Sequence, residues 1–370
     1  MTALNSHESW MRRALELAAR GEGAVEPNPM VGAVVVRDGV CVGEGYHQRY
    51  GGPHAEVHAL RAAGEFARGA TLYVTLEPCC HFGKTPPCTD AVLQSGIAEV
   101  IVAMPDPFPA VAGGGLDILR REGLRVVTGV CRPEAERLNS PYLKRLRTGH
   151  PYVIAKWAMT LDGKLAAHTG HSQWISGPES RAMVHHLRGR VDGILVGLGT
   201  LLADDPHLVA RPASADESPL RIATRIVLTR SGNLPPTAKL LSTIDDAPIL
   251  ILTAVTPDEQ PALRVWQTAG AGIVTLPQLT IANALTELGN RRMTNLLVEG
   301  GSEILGAFFD AQAIDEVMVF IAPKLVGGRS APTPIAGTGQ PRIPELASLQ
   351  AVRIDRLGDD CCVRGIISPP

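Results

Sequence analysis

His54 and Glu56 lie two residues apart, and Cys79 and Cys88 follow downstream, each preceded by a proline. One imidazole and two thiolates make a three-ligand zinc shell. The fourth tetrahedral position is then left for water, as a catalytic zinc requires, and zinc draws the pKa of such a water down toward neutrality. Glu56 sits too close to His54 in sequence to be an easy fourth ligand from the same side. A carboxylate there can instead move the water's proton. The pattern suits zinc-assisted hydrolytic removal of an amino group. The usual two-residue gap between the cysteines is replaced by the run Cys80 to Pro87, which includes His81 and Lys84 and is long enough to form part of a substrate wall. The same residues can also be read as a structural zinc site or as buried thiols, with Cys80, His81 or His58 as a fourth ligand. His58 reads as a packed histidine on the inner helix face, and Cys41 and Cys131 as small core residues.

A second group of residues lies in the C-terminal half. Leu296-Leu297-Val298-Glu299-Gly300-Gly301-Ser302 runs from a strand into a helix over Glu303 to Phe309, where glycines allow close backbone approach and the helix start offers N–H donors to a phosphate. Val196-Gly197-Leu198-Gly199-Thr200, followed by Asp204-Asp205-Pro206, is the other glycine signal. It lacks the full G-x-G-x-x-G pattern, so this half is not expected to be a Rossmann domain. Ordinary turn chemistry explains either signal when it is taken alone.

These residues need elements to position them. Trp10, Ala14, Leu17 and Ala18 form one stripe of a helix from Ser9 to Arg20, with Gly21 as its stop. Val31 to Val36 and Cys41 to Tyr46 read as strands joined by a turn at Asp38-Gly39. A helix is expected from His54 to Ala63, strands at Thr71 to Leu76 and Glu99 to Met104, and a helix from Cys88 to Ser95 stopped by Gly96. His54 and Cys88 thus stand where helices begin, where backbone N–H groups and the dipole favour thiolate. A connecting helix is expected from Glu134 to Arg147, and the domain boundary near Gly149, dividing 1–149 from 150–370. Strands follow at Pro151 to Ala155, Gly193 to Gly197, Arg225 to Leu228, Pro248 to Thr253, Leu296 to Glu299 and Glu316 to Ile321. Ala213 to Pro219 and Thr243 to Ala247 are expected to be surface loops, and Cys361 and Cys362 to lie in a terminal strand. Both halves alternate strand and helix, which indicates α/β layering.

The chain has 370 residues, enough for two domains, with 45% hydrophobic and 19% charged residues. A formal net charge of −2 argues against a nucleic-acid partner held by bulk electrostatics. No apolar run is long enough to span a bilayer, and Met1 to Trp10 is too polar for a signal peptide. The cysteines number seven, an odd count, and fit a cytoplasmic chain with a metal site better than a disulfide framework.

Pro27-Asn28-Pro29-Met30-Val31-Gly32-Ala33-Val34, His54-Ala55-Glu56 and Thr75-Leu76-Glu77-Pro78-Cys79-Cys80-His81-Phe82-Gly83-Lys84-Thr85-Pro86-Pro87-Cys88 closely resemble the deaminase half of the bacterial bifunctional riboflavin-biosynthesis deaminase/reductase. Lys156 to Gly163, Ser172-Gln173-Trp174-Ile175, the Gly197 to Pro206 run and Val298-Glu299-Gly300-Gly301 resemble its reductase half, so the resemblance covers nearly the whole chain. It implies a cytidine-deaminase-like three-layer domain followed by a dihydrofolate-reductase-like domain. By resemblance, His54, Cys79 and Cys88 hold zinc and Glu56 is the proton donor. Asn28 helps hold the pyrimidine and Lys84 meets its phosphate. Ala158, Trp174, Thr200, Asp204, Gly301, Ser302, Glu303, Ile304, Leu305, Gly306 and Ala307 line an NADPH site. Ser172, Arg188, Leu208, Arg211 and Glu299 contact substrate, and Arg188 with Arg211 can clamp a 5′-phosphate through paired N–H donors. Lys156 and Asp204 are candidates to stabilise or protonate the opened ribose.

The implied reaction is deamination of a phosphorylated pyrimidine, then reduction of its ribosyl group to ribityl. A homo-oligomer is also implied. The alternatives are a deaminase of another nucleobase with an inactive reductase-like half, or a zinc-stabilised module that binds a nucleotide. Two departures from the family stand out. Phe108 replaces an asparagine in Asp106-Pro107-Phe108-Pro109, and Thr229-Arg230 stands where many relatives carry Asp-Ser. Arg230 is a candidate to meet the extra phosphate of NADPH.

Overall fold

A computed structural model describes residues 3–211, 219–342 and 348–367. The expected loop from Ala213 lies outside the described residues up to position 218. The chain divides into two compact units, Met1–Thr148 and Gly149–Pro370.

The first unit runs α1 (Ala3–Ala19), β1 (Gly32–Arg37), β2 (Val40–Tyr46), α2 (Ala55–Ala63), β3 (Thr71–Leu76), α3 (Cys88–Ser95), β4 (Glu99–Met104), α4 (Gly114–Arg121), β5 (Arg125–Thr128), α5 (Arg132–Leu138) and α6 (Ser140–Thr148). Its sheet has the order β2-β1-β3-β4-β5. The β2-β1-β3 pairings are antiparallel and β3-β4-β5 are parallel. The β1–β2 turn uses positive φ at both Asp38 and Gly39, as a hairpin with right-handed twist requires. Alternate strand residues supply two cores. Ala33, Val35, Leu72, Val74, Val100 and Val102 pack against α2, α3 and α4, while Val34, Tyr73, Ile101 and Ala103 pack against α1, α5 and α6. The result is three layers. Helix α2 lies directly on β2, where a Cβ at Gly43 would sit 2.3 Å from the Ala59 carbonyl oxygen, so only glycine lets this helix come so close.

The helix expected from Glu134 to Arg147 is in fact two. Asn139 is the break: its side chain accepts from Met30 N–H at 2.8 Å and donates to the Met30 carbonyl at 3.0 Å. A long-range pair of bonds to the backbone thus overrides local helix propensity. The segment Gly114–Thr128, with α4 and β5, was not expected, because Gly113-Gly114-Gly115 reads locally as loop.

The second unit runs β6 (Tyr152–Thr160), α7 (Pro178–Arg188), β7 (Gly193–Gly197), α8 (Leu198–Asp204), β8 (Thr224–Thr229), α9 (Lys239–Ser242), β9 (Ile249–Thr253), α10 (Pro261–Thr268), β10 (Gly272–Thr275), α11 (Ile281–Asn290), β11 (Asn295–Val298), α12 (Ser302–Asp310), β12 (Glu316–Ala322), β13 (Leu349–Leu357) and β14 (Asp360–Ile367). Its nine-stranded sheet has the order β10-β9-β8-β7-β11-β6-β12-β14-β13. The strands from β10 to β12 are parallel, and the β13–β14 hairpin is added antiparallel at one edge. One face is covered by α7, α8 and α10, with Trp266 fully buried. The other is covered by α11 and α12, with Phe308 fully buried. Each such buried side chain contributes about 2 kcal/mol.

Thr243 to Ala247 is not the plain surface loop expected. It folds over the wholly buried Arg225, whose Nη2 donates to the carbonyls of Thr243 at 2.7 Å and Ala247 at 2.6 Å. A buried guanidinium needs such acceptors, and that need shapes the loop.

Candidate active sites

In the first unit, α2, the end of β3 and α3 bring three side chains together. His54 is the residue before α2, Cys88 opens α3, and Cys79 lies just past β3. His54 Nδ1 is 3.2 Å from Cys88 Sγ and 3.5 Å from Cys79 Sγ. Cys88 N–H donates to Cys79 Sγ at 3.3 Å, as a helix start can. Among the described residues, this is the one group of at least three His, Cys, Asp or Glu side chains whose ligand atoms lie within 4.8 Å of one another. One ring nitrogen and two sulfurs at this separation fit zinc, a borderline-soft ion that favours tetrahedral sites. Hydrogen bonding from Cys88, together with His54, holds Cys79 down to about 4, while that thiolate and burial push Cys88 up. Thr85 Oγ1 lies 3.5 Å from His54 Nε2, so the second ring nitrogen also has a partner.

Glu56 is in the first turn of α2 and is 3% exposed. Its Oε2 is buried with no hydrogen-bond partner. Burial pushes its carboxyl up to about 7, against the pull of His54. A buried, orphaned carboxylate oxygen beside a metal-ligand trio is poised to accept and return a proton.

Cys80, His81 and His58 stand outside the trio. Cys80 Sγ lies 3.8 Å from the Ala110 carbonyl, and His58 Nε2 is buried without a partner. Cys131 is buried and Cys41 half-buried. Asn28 Nδ2 is 3.5 Å from His47 Nε2, and the buried His47 ring packs edge-on to His54 at 5.3 Å. Lys84 is exposed, with its ammonium 3.9 Å from the centre of the Tyr50 ring.

Two residues of this site carried no sequence signal for their role. His47 is one. Glu77 is the other, a buried carboxylate that accepts four backbone N–H bonds: from Asp106 and Gly113 at 3.1 Å, Gly115 at 3.0 Å and Leu116 at 3.2 Å. It serves as an N-terminal anchor for α4 from a distant strand end. Gly115 has to be glycine there, because a Cβ would sit 2.1 Å from the Pro78 carbonyl oxygen. Asp106 also accepts from Phe108 N–H and Tyr142 Oη–H, both at 2.9 Å. Phe108 itself turns its ring toward His81, with centroids 6.0 Å apart.

In the second unit, β7 and β11 are parallel neighbours, so the turns that follow them open at the same sheet edge. Thr200 Oγ1 accepts from Gly301 N–H at 3.0 Å and ties the two turns together. Ser172 Oγ donates to Asp204 at 3.0 Å. Gly301 precedes α12 and no side chain caps that helix, which leaves its first-turn N–H groups without a side-chain acceptor. Within the expected stretch, Ser302, Glu303, Ile304 and Ala307 are half-buried or exposed, whereas the Leu305 side chain and Gly306 are buried and meet the core. Trp174 is 65% exposed, lies 4.7 Å from the Arg181 guanidinium, and its carbonyl accepts from Lys324 Nζ at 2.7 Å. Ala158 stands on β6 opposite Phe320.

Glu299 is the electrostatic centre of this unit. Arg188 grips it with two bonds, Nε to Oε1 at 2.6 Å and Nη2 to Oε2 at 2.9 Å, and Lys156 Nζ lies 3.5 Å from Oε2. Burial acts to raise the Glu299 carboxyl, but these cations outweigh it and hold it down to about 2. The Nε–Nη2 edge of Arg188 therefore faces Glu299. The phosphate clamp expected of Arg188 and Arg211 keeps its free fork only at Arg211, which is exposed. Leu208 is buried at φ +54, and Arg211 N–H donates to His185 Nδ1 at 3.3 Å. Arg230 is exposed at the end of β8.

Residues 4–104 match the family model for the cytidine and deoxycytidylate deaminase zinc-binding region, and residues 151–363 match the RibD C-terminal domain. The chain is 42% identical to the riboflavin biosynthesis protein RibD of Aquifex aeolicus (strain VF5), over 96% of this chain and 97% of that protein. It is 41% identical to the RibD protein of Escherichia coli (strain K12), over 96% of this chain and 98% of that one. A solved RibD structure from Acinetobacter baumannii superposes with a TM-score of 0.87 at 36% identity, covering 99% of each chain. A solved Thermotoga maritima structure, described as a diaminohydroxyphosphoribosylaminopyrimidine deaminase/5-amino-6-(5-phosphoribosylamino)uracil reductase, superposes with a TM-score of 0.86 at 34% identity over 100% of both chains.

Proposed function

The chain belongs to the RibD family of bifunctional riboflavin-biosynthesis deaminase/reductases, and on that premise we propose that its two units act in turn on one pyrimidine. Residues 1–149 remove an amino group by hydrolysis from 2,5-diamino-6-ribosylamino-4(3H)-pyrimidinone 5′-phosphate. Residues 150–370 then reduce the ribosyl group of the product to ribityl with NADPH. The observation that carries this reading is the His54/Cys79/Cys88 trio beside the orphaned Glu56 oxygen.

His54, Cys79 and Cys88 would hold the zinc, which would supply a Lewis acid able to bring a water's pKa toward neutrality. Glu56 Oε2 takes a proton from the attacking water and delivers it to the departing amine, its raised pKa suiting both directions. Asn28 orients the pyrimidine ring, and the exposed Lys84 ammonium meets the phosphate. In the second unit, NADPH supplies the hydride. The uncapped start of α12, tied to Thr200 through Gly301, receives the cofactor's phosphates. Glu299 holds Lys156 and Arg188 in place, so that the Lys156 ammonium can stabilise the oxygen of the opened ribose. Ser172, Leu208 and Arg211 complete the substrate side, and Ala158, Trp174 and Asp204 the cofactor side. A cytoplasmic homo-oligomer without a nucleic-acid or membrane partner completes the reading. Among the described residues no helix is long and apolar enough to cross a membrane.

The test follows ammonia release and NADPH absorbance with the diaminopyrimidine phosphate. Wild type should release ammonia and oxidise NADPH. Glu56→Ala should do neither until deaminated intermediate is added, and should then oxidise NADPH. Ammonia release without any NADPH oxidation in wild type overturns the reductase assignment.

A further inference from the structure

Trp174 lies between β6 and α7, in neither a helix nor a strand. No helical or sheet ladder orders the backbone there, yet three consecutive carbonyls are held by side-chain cations. Lys324 Nζ donates to the Trp174 and Ile175 carbonyls, both at 2.7 Å. Arg181 Nη1 donates to the Ser176 carbonyl at 2.6 Å. Hydrogen bonds from ionised donors are roughly twice as strong as neutral ones. The Arg181 guanidinium also stands over the Trp174 ring, 4.7 Å from its centre. The main chain is thus pinned and the ring backed, while 65% of the residue stays exposed.

Lys324 is itself fixed by the turn it sits on. β6 and β12 are parallel neighbours whose pairing ends at Thr160 and Ala322. The chain leaving β12 then lies against the chain leaving β6. Leu161 N–H donates to the Lys324 carbonyl at 2.9 Å, and the Asp162 carboxylate accepts from Val326 N–H at 3.2 Å and Gly327 N–H at 2.7 Å. Further along, Lys164 Nζ donates to the Ala331 carbonyl at 3.2 Å and Leu165 N–H to the Pro332 carbonyl at 2.9 Å. The two segments form one layer at the carboxyl ends of these strands. β11 is also a parallel neighbour of β6, so the turn that carries Gly301 opens at the same edge. Parallel α/β sheets bind their ligands beyond this edge. Lys324 thereby ties the Trp174 segment to the rim where α12 begins.

We infer that Lys324 is a positioning residue of the reductase half: by holding the Trp174 and Ile175 carbonyls, it sets the exposed indole in place before the cofactor arrives. The inference rests on the cofactor-side reading of Trp174 given above. Lys324 acts through Trp174. A wall that is already in place loses little freedom when its ligand binds, so loosening it weakens binding and leaves the hydride step alone.

Calorimetric titration of the full chain with NADPH tests this. Lys324→Met keeps the length of the side chain and removes its donors. It should weaken NADPH binding about tenfold, and in turnover the loss should fall on KM for NADPH and not on kcat. Lys324→Arg can still donate to both carbonyls and should recover most of the loss. The double variant, Lys324→Met with Trp174→Ala, should bind NADPH no more weakly than Trp174→Ala alone, because the lysine then has no indole to position. Misfolding caused by Lys324→Met would instead carry its loss into the double variant. Losses that multiply, no recovery with arginine, or Lys324→Met that binds like wild type while Trp174→Ala is weakened each overturns the inference. Full binding by Trp174→Ala overturns the cofactor-side reading of Trp174 instead, and the inference with it.

Discussion

Replacing Glu299 with glutamine keeps the shape of the side chain and removes its charge. The carboxyl is 8% exposed and is gripped by Arg188 and Lys156. It is held down to about 2 from an ordinary value of 4.5. At about 1.4 kcal/mol per pKa unit, its ionisation contributes on the order of 3 kcal/mol to the stability of the second unit at neutral pH. The group is depressed on folding, so this contribution is present above the unfolded value and is lost as pH falls toward the folded one. About a quarter should be gone by pH 4 and more than half by pH 3. Glutamine also leaves two cations without their counter-charge, which adds a loss that does not vary with pH in this range. Urea unfolding followed by tryptophan emission reports on this unit through Trp157, Trp174 and Trp266. Wild type should exceed Glu299→Gln by about 3 kcal/mol or more at pH 7, and the gap should shrink by roughly 2 kcal/mol by pH 3. A gap that stays constant across that range, or that is absent at pH 7, refutes the reasoning.

The zinc trio makes a sharper claim about composition. Cys88→Ser should drop metal content from about one zinc per chain to well under half, read by elemental analysis of the purified protein. A full complement in the variant would remove Cys88 from the ligand set. Glu77→Ala strands four N–H groups, three of them buried, so the first unit should lose about 3 kcal/mol or more in thermal or urea unfolding, with Glu77→Gln in between. A loss under about 1 kcal/mol would mean that water replaces the carboxylate at little cost. If Arg230 meets the cofactor's extra phosphate, Arg230→Ala should narrow the preference for NADPH over NADH, and an unchanged ratio of kcat/KM values sinks the idea.

The legible parts of this protein are those whose signal is local. The β3 and β4 strands are continuous β-branched and apolar runs, and α3 begins at Cys88 and stops at Gly96, where φ is +73. The trio was legible because imidazole, thiolates and carboxylate at those spacings suit a zinc site, and the fold does bring the ligand atoms together. What escaped depends on partners far along the chain. The start of α4 is organised by Glu77, 38 residues before Gly115. The break at Asn139 comes from Met30, 109 residues away. Arg188 could be named as a cation, but its commitment to Glu299 across 111 residues could not be. The loop around Thr243 looked like surface because a buried Arg225 has no periodic signature. β13 escaped for the opposite reason: a strand exposed on both faces shows no apolar alternation.

The positions of His54, Cys79 and Cys88 also bear on how the first unit holds together. The bonds among these residues close spans of 25, 34 and 9 residues. A zinc ion on all three atoms is therefore a cross-link that staples two helix starts to the end of the central strand. It removes chain freedom from the unfolded state much as a disulfide does. Chelation should then lower the melting temperature of this unit and open the segment between residues 80 and 87 to proteases, even with no substrate present. The ion proposed to prepare water for attack would in this sense also be a fastener, linking folding, metal supply and catalysis in this half of the chain.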